Sequence, residues 1–295
     1  MPLFHRRDDP PAPSRPASRP SLPVYGDESD WRSFDSVAEA YARVLAPKSA
    51  MVAADLVGLL EVLPAQRVLD VGTGTGVGAR AAIAALGDGG MAVGIDPSTG
   101  MLRMAQRGGD RPKYAAAMSI DLPFADGTFD HLMANFVIAF FQTYETALFE
   151  LLRVLRAGGR LAVTAWGPGD DQDELRTTWR EVAEEFAEHE ILMDSHQRAI
   201  PWEEKFSDRN ALKDVLHDAG LRDIWTEQRS YRFESPREDW LTGREVTPMA
   251  RFLKQMLGDE YWDTFRRRTR EVFAERFPDP LNDFRDVVFA VGHKP

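Results

Sequence analysis

An α/β fold built on a mainly parallel sheet, covered by helices on both faces, is predicted by three observations. Short β-branched and apolar runs alternate with segments of helical period between Arg67 and Ala165. Two of those runs end in an aspartate, Asp70 and Asp96, and each leads through turn residues into a helix-forming segment. The first turn, Val71-Gly72-Thr73-Gly74-Thr75-Gly76-Val77-Gly78, has glycine at every second position. Such alternation means parallel strands joined by crossover helices and buried on both faces.

The elements follow in order. Residues 1–30 are rich in Pro, Ser and Arg, with Asp8 and Asp9 among them. They cannot bury much apolar surface, so a flexible, untargeted tail is expected there. The domain is expected over 31–295, with folded structure from about Phe34. A short helix over 37–45 is broken by Pro47, and Val52, Leu56, Leu59, Leu60 and Leu63 make a second that Pro64 ends. Strands are expected over 67–71, 91–96, 114–117, 129–135, 159–165, 224–233 and 284–291. Helices are expected over 77–86, 98–107 with Ser98 as N-cap, and 146–155 with Gly158 as the stop. A polar amphipathic helix over 171–190 and an irregular stretch over 191–206 come next. Ser207 is expected to cap a helix over 208–219, and helices rich in Trp and Phe fill 239–277.

The glycine turn at the end of a strand puts a nucleotide-like ligand at a helix N-terminus. Gly74-Thr75-Gly76-Val77-Gly78-Ala79 loosely satisfies a dinucleotide pattern, so NAD is one candidate. Asp70, just before the first glycine, would repel a pyrophosphate and suits a ligand with an ammonium group. Asp96 lies roughly 20 residues beyond the turn, where a ribose-binding acid is expected.

Asp70-Val71-Gly72-Thr73-Gly74-Thr75-Gly76, followed by Gly94-Ile95-Asp96-Pro97-Ser98-Thr99-Gly100-Met101-Leu102, resembles the class I S-adenosylmethionine-dependent methyltransferases. The nearest group is the small-molecule branch that includes the ubiquinone/menaquinone C-methyltransferases. Leu122-Pro123-Phe124-Ala125-Asp126-Gly127, Glu150 to Leu161, and Phe206 to Leu221 are similar to later family segments in the same order. The resemblance covers about 34–233 and implies a Rossmann-like, doubly wound, seven-stranded sheet with an antiparallel last strand. Two stretches, 168–206 and 236–280, stand as helical cap insertions over the substrate side or at a homodimer contact.

The same resemblance implies S-adenosylmethionine as donor and S-adenosylhomocysteine as product. It assigns Tyr41, Asp70, Gly72, Thr73, Gly74, Gly76, Asp96, Pro97, Met101, Asn135 and Phe136 to the cofactor. Where relatives carry an acid for the adenine amino group, this chain has Met118, with Ser119 beside it and Asp121 as a further acceptor. Phe136, Phe140 and Phe141 after the fourth strand suggest an apolar or ring-bearing substrate, with ordinary core packing as the alternative. Trp166 and Trp202 join the substrate side by analogy. That loop lacks the Asn/Asp-Pro-Pro-Tyr/Phe pattern of base and glutamine methylation. His196 and His189, in the first insertion, are the candidate general bases; no histidine belongs to a metal pattern.

Composition sets limits. A net charge of −11 argues against a nucleic-acid surface. The absence of Cys excludes a disulfide framework, a zinc–thiolate site and a thiol nucleophile. No apolar run suits a membrane span, and a cytoplasmic location is expected. Methyl transfer to a hydroxylated secondary metabolite is the favoured reading. Quinone-precursor C-methylation, a NAD-dependent oxidoreductase, and a cyclase or binding module that uses the donor without transfer are the alternatives.

Overall fold

The computed structural model describes residues 30–108, 111–169 and 173–295. The expected tail, 1–29, lies outside them. Seven strands form one sheet: β1 (Arg67–Val71), β2 (Met91–Asp96), β3 (Lys113–Ala116), β4 (Phe129–Asn135), β5 (Leu155–Trp166), β6 (Arg222–Ser235) and β7 (Leu281–His293). Their order is β3-β2-β1-β4-β5-β7-β6. Only β7 runs antiparallel to its neighbours, β5 and β6; every other pair is parallel. This is the doubly wound sheet the sequence predicts.

The two faces follow from alternation along the strands. Val68 and Met133 face α2 (Ala46–Leu60) and α3 (Val77–Leu86), where Leu56, Leu60 and Ile83 pack with Phe289. Leu69 and Leu132 face the other side, with Leu148 and Leu151 of α5 (Tyr144–Val154) and Leu212 and Leu216 of α9 (Arg209–Asp218). Between them, α4 (Thr99–Arg107) begins where the Ser98 hydroxyl accepts from the Met101 N–H at 3.1 Å.

Several expectations are corrected. The first helix does end just before Pro47, as expected, but Pro47 itself stands in the first turn of α2, where its missing N–H has no intrahelical role. That helix follows α1 (Ala38–Val44) almost at once. Gly158 is no helix stop, since α5 ends at Val154 and the Gly158 N–H donates to the Lys294 carbonyl at 2.8 Å. The cap of α9 is Asp208, whose carboxylate accepts from the Asn210 and Ala211 N–H groups at 2.7 and 3.0 Å. Its charge suits the helix N-terminus better than the Ser207 hydroxyl.

The stretch 191–206, expected to be irregular, is helical: α7 (His189–Ala199) and α8 (Glu203–Ser207). Leu192, Ser195 and Ala199 form the buried stripe of α7, too small and polar to stand out in the sequence. Through Phe206, α8 packs on the sheet core, whereas α6 (Glu174–Glu184), α7, α10 (Arg237–Glu245) and α11 (Pro248–Arg276) make one cap. Trp179, Leu192, Trp240, Leu253, Phe265 and Phe273 share its separate apolar core. The two insertions thus pack on each other. An N-terminal strap, residues 30–34, joins them to the sheet domain. Asp35 anchors the strap by accepting from the Gly100 N–H at 2.5 Å and the Thr99 hydroxyl at 3.1 Å. Arg251 of α11 donates to the carbonyls of Asp30 and Trp31.

Candidate functional site

One cavity of about 740 Å³ opens at the carboxyl ends of β1, β2, β4 and β5, beneath the cap. That is the crevice where open α/β sheets bind ligands, and the volume falls in the small-molecule range of about 300–1,000 Å³. Its walls divide into a sheet-side lobe and a cap-side lobe.

The β1–α3 turn shapes the first lobe, and its three glycines do different work. Gly72, at φ 66°, lets the turn pass β4, since a Cβ there would lie 2.3 Å from Val137 Cγ2. Gly76, at φ 82°, precedes α3, and its Cβ would lie 2.5 Å from the Tyr114 hydroxyl. Gly74, at φ 54°, has nothing within 4 Å. Its bare backbone faces the cavity, a cradle that a ligand can approach closely.

Asp96 ends β2 on the cavity wall. Its Oδ2 accepts from the Gly74 N–H at 2.9 Å and its Oδ1 from the Ser98 N–H at 2.8 Å. Burial pushes this carboxyl up to about 6 against those two donors, with the Asp35 charge adding to the rise. Lone pairs remain on both oxygens for a pair of hydroxyls. Tyr41, Pro97, Met101, Met118 and Ser119 line the same lobe.

Three residues expected at the cofactor stand off the cavity wall. Asp70, Thr73 and Gly76 lie behind the turn and do not line the cavity. The Thr73 hydroxyl donates to Asp70 Oδ2 at 2.6 Å, and a Cβ at Gly78 would meet that oxygen at 2.6 Å. Burial pushes the Asp70 carboxyl up to about 7, although Thr73 and the Ala79 N–H donate to it. The acid is spent on holding the turn's own groups. Asp121 is also off the wall; it is exposed, and its N–H donates to the Met118 carbonyl at 3.2 Å.

The end of β4 joins the two lobes. Asn135 and Phe136 both reach the wall. Phe136 holds φ 58°, a left-handed conformation that costs a bulky residue about 1–3 kcal/mol. A buried network keeps it there. The Phe136 N–H donates to the Thr164 hydroxyl at 2.9 Å, and that hydroxyl donates to Asn135 Oδ1 at 2.7 Å. Asn135 Nδ2 donates to the Ser49 carbonyl at 3.2 Å. The Phe136 ring stacks on Trp166 at 4.0 Å, with the Arg285 guanidinium 4.2 Å above the Trp166 ring. Phe140 and Phe141 complete this aromatic wall.

Two further expected site residues also stand away from the cavity wall. Trp202 is not on the wall. Its Nε1 donates to the Phe141 carbonyl at 2.7 Å and its ring meets Tyr144 edge-on at 4.7 Å, so it supports the aromatic loop from behind. His189 is exposed and pairs with Glu184 at 2.7 Å, away from the cavity. His196 does face the cavity, with Nε2 2.5 Å from Glu203 Oε2. Burial pushes the Glu203 carboxyl up, but the His196 hydrogen bond and the His196, Arg285 and Arg244 charges outweigh it and hold it below its ordinary value. An ionised Glu203 fixes the proton on Nε2 and leaves Nδ1 as the acceptor. Glu203 also borders a smaller cavity of about 40 Å³ with Phe136 and Trp166. Sequence reading missed Glu203, Lys48 and Arg285. They lie on three distant segments and belong to no motif.

The open Gly74 backbone and the unspent Asp96 lone pairs fit an adenosyl ligand. Asp96 would hold its ribose hydroxyls, and Tyr41, Met118 and Ser119 would flank its ends. Residues 69–163 match a protein-family model described as a methyltransferase domain. A demethylmenaquinone methyltransferase of Parafrankia sp. (strain EAN1pec) is 35% identical over 162 residues, covering 48% of this chain and 57% of that protein. Its counterpart in Beutenbergia cavernae is 31% identical over 169 residues, covering 55% and 68%. The matched stretch thus spans little more than half the length of the first relative. Among solved structures, Haemonchus contortus phosphoethanolamine N-methyltransferase 2, in complex with phosphomonomethylethanolamine and S-adenosylhomocysteine, superposes with a TM-score of 0.54. It is 18% identical, with 90% of this chain and 60% of that chain covered, a likeness of fold alone.

Proposed function

This chain belongs to the class I S-adenosylmethionine-dependent methyltransferases, and we propose that it methylates a small, apolar or aromatic hydroxylated metabolite. The observation that carries this reading is the continuity of one cavity. It runs from Asp96 and Gly74 past Phe136 to an aromatic wall that faces the His196–Glu203 pair.

S-adenosylmethionine supplies a methyl group already activated on a sulfonium. The chain's own residues then have three tasks. Asp96, Gly74 and Tyr41 hold the donor, Phe136 and Trp166 shape the path between donor and acceptor, and the cap excludes water. His196 Nδ1 takes the acceptor's hydroxyl proton as the carbon–sulfur bond breaks and the new bond to the acceptor forms. Glu203 orients the imidazole and balances the charge it gains. We assign Glu203 a positioning role.

A second reading, C-methylation of a quinone precursor, is favoured by the names of the two curated relatives. It uses the same proton abstraction, because an electron-rich ring carbon becomes nucleophilic when a neighbouring hydroxyl ionises. The test is incubation with S-adenosylmethionine and a panel of phenols and hydroxyquinols. Mass spectrometry would follow products that gain one methyl group, together with S-adenosylhomocysteine release. Methylated oxygen supports the first reading and methylated carbon the second. Product formed without S-adenosylhomocysteine would overturn both and leave a cyclase or binding role.

A further inference from the structure

A methyl donor can lie along the sheet edge in one sense only. At their carboxyl ends the first strands stand in the order β3-β2-β1-β4-β5. Asp96, which ends β2, is the proposed ribose acid, and the aromatic wall begins with Phe136 after β4. A methyl group delivered to that wall lies on the β4 side of the ribose. The purine therefore leaves the ribose on the opposite side, toward the end of β3.

The wall at that end is made by Ala117, Met118, Ser119 and Ile120, which continue from β3, with Pro97 and Met101 from the start of α4. The stretch is stitched beside the ribose acid, since the Ala117 N–H donates to the Asp96 carbonyl at 3.4 Å. The chain then turns back. The Asp121 N–H donates to the Met118 carbonyl at 3.2 Å, and Asp121 is left exposed and off the wall. Met118 brings a thioether to the wall, a weak acceptor but a polarisable surface that packs on flat rings.

The other carboxylates are engaged or stand elsewhere. Asp35 lies against the first turn of α4, off the wall, where the Ser33 and Thr99 hydroxyls and the Gly100 N–H donate to it at 2.8, 3.1 and 2.5 Å. Asp30, on the strap, does reach the cavity. Arg32 clasps it through its N–H at 2.9 Å, Nε at 3.0 Å and Nη2 at 2.7 Å. Glu203, Glu204 and Asp283 line the cap-side lobe. Among the described residues, the purine end of the wall thus offers the Ser119 hydroxyl and backbone groups, and no uncommitted carboxylate.

We propose that this chain holds the purine by packing on Met101, Met118 and Ile120 and leaves its C6 amino group unread, so that donors lacking that group bind as well as S-adenosylmethionine. This rests on the donor assignment and deepens it. Met118 is the residue that sets the purine specificity. The Ser119 hydroxyl, half-buried, exchanges water for the amino group at little net gain.

Calorimetry on the full chain tests it by comparing S-adenosylhomocysteine with its 6-deamino analogue, which keeps the ring nitrogens, the ribose and the amino-acid arm. The two should bind within about threefold of each other, below the roughly tenfold expected of one hydrogen bond to a charged group. Met118→Asp installs a carboxylate at the purine and should favour S-adenosylhomocysteine over the analogue by about tenfold or more, whereas the neutral Met118→Leu should create no such preference. Melting curves check that each variant folds. A preference above about threefold in the unmodified protein would overturn the proposal, and its loss in Ser119→Ala, Asp30→Asn or Asp121→Asn would name the group that reads the amino group instead. A folded Met118→Asp that binds both ligands alike would overturn it too. If Met118→Asp does not fold, the comparison in the unmodified protein decides alone. No binding of S-adenosylhomocysteine would sink the donor assignment itself, whereas binding with a clear amino preference would sink this inference alone.

Discussion

Replacing Asp96 by alanine removes the carboxylate that, in the proposed donor site, receives both ribose hydroxyls. Its two oxygens already accept from the Gly74 and Ser98 N–H groups at 2.9 and 2.8 Å. The Gly74 backbone borders the cavity, so water can take over there when the side chain is gone. The loss therefore falls mainly on the ligand. Hydrogen bonds to a charged group contribute about 1.5–3 kcal/mol each, and the lower figure suits this half-buried site. Two such bonds give about 3 kcal/mol, or roughly a hundredfold in affinity at about 1.4 kcal/mol per decade. Asp96→Asn keeps one acceptor and should lose about tenfold, half that free energy. Titration calorimetry with S-adenosylhomocysteine reads both values, and a melting curve confirms that each variant folds. The pH dependence adds a second check. The Asp96 carboxyl is raised to about 6 in the free protein, so its protonated form prevails below that value and accepts fewer hydrogen bonds. Affinity should be level above neutrality and fall toward tenfold per pH unit below about 6, with no such slope in Asp96→Asn. Asp96→Ala affinity within threefold of the unmodified protein, or binding that tightens toward acid pH, would refute the ribose assignment.

Other consequences are open to measurement. His196→Gln should lower kcat by about 100–10,000-fold, the range for loss of a general base, with donor affinity unchanged. Glu203→Gln should lower kcat less and move the pH–rate profile toward acid, because the imidazole loses its carboxylate partner; an unmoved profile would count against the positioning role. Gly76→Ala should destabilise the fold by about 1–3 kcal/mol through the clash with Tyr114, seen as a lower Tm. Gly74→Ala should instead act mainly on donor affinity, and equal behaviour of the two variants would contradict the division of labour in the turn. Asp70 is raised from 3.8 to about 7, so across that window the unfolded chain binds fewer protons and stability falls as pH rises. Asp70→Asn should flatten this fall, and parallel Tm curves for variant and parent would argue against it.

The donor lobe was legible because its chemistry is local. A glycine turn between β1 and α3 and an acid at the end of β2 occupy consecutive elements, and strand alternation fixes where both stand. That Asp70 stands off the wall could not be read from spacing, which reports the position of a carboxylate, not the direction it faces. Its carboxylate faces Thr73 and Ala79, which donate to it. The acceptor lobe was harder to read for a related reason. Lys48, Arg176, His196, Glu203 and Arg285 come from α2, α6, α7, α8 and β7. Only tertiary packing brings them together. Helix α7 was misread because its buried stripe contains Ser195 and Ala199, residues with little apolar signal. The place of Trp202 behind the loop was not legible, because a tryptophan beside a pocket looks the same in sequence whether it faces the cavity or props the loop that does.

Calorimetric titration of the unmodified chain with S-adenosylhomocysteine, and separately with NAD, tests the donor assignment most directly. Saturable binding of S-adenosylhomocysteine at one site, lost in Asp96→Ala, with no binding of NAD, is the predicted result. Tight NAD binding with no S-adenosylhomocysteine binding would contradict it and make the glycine turn a dinucleotide site.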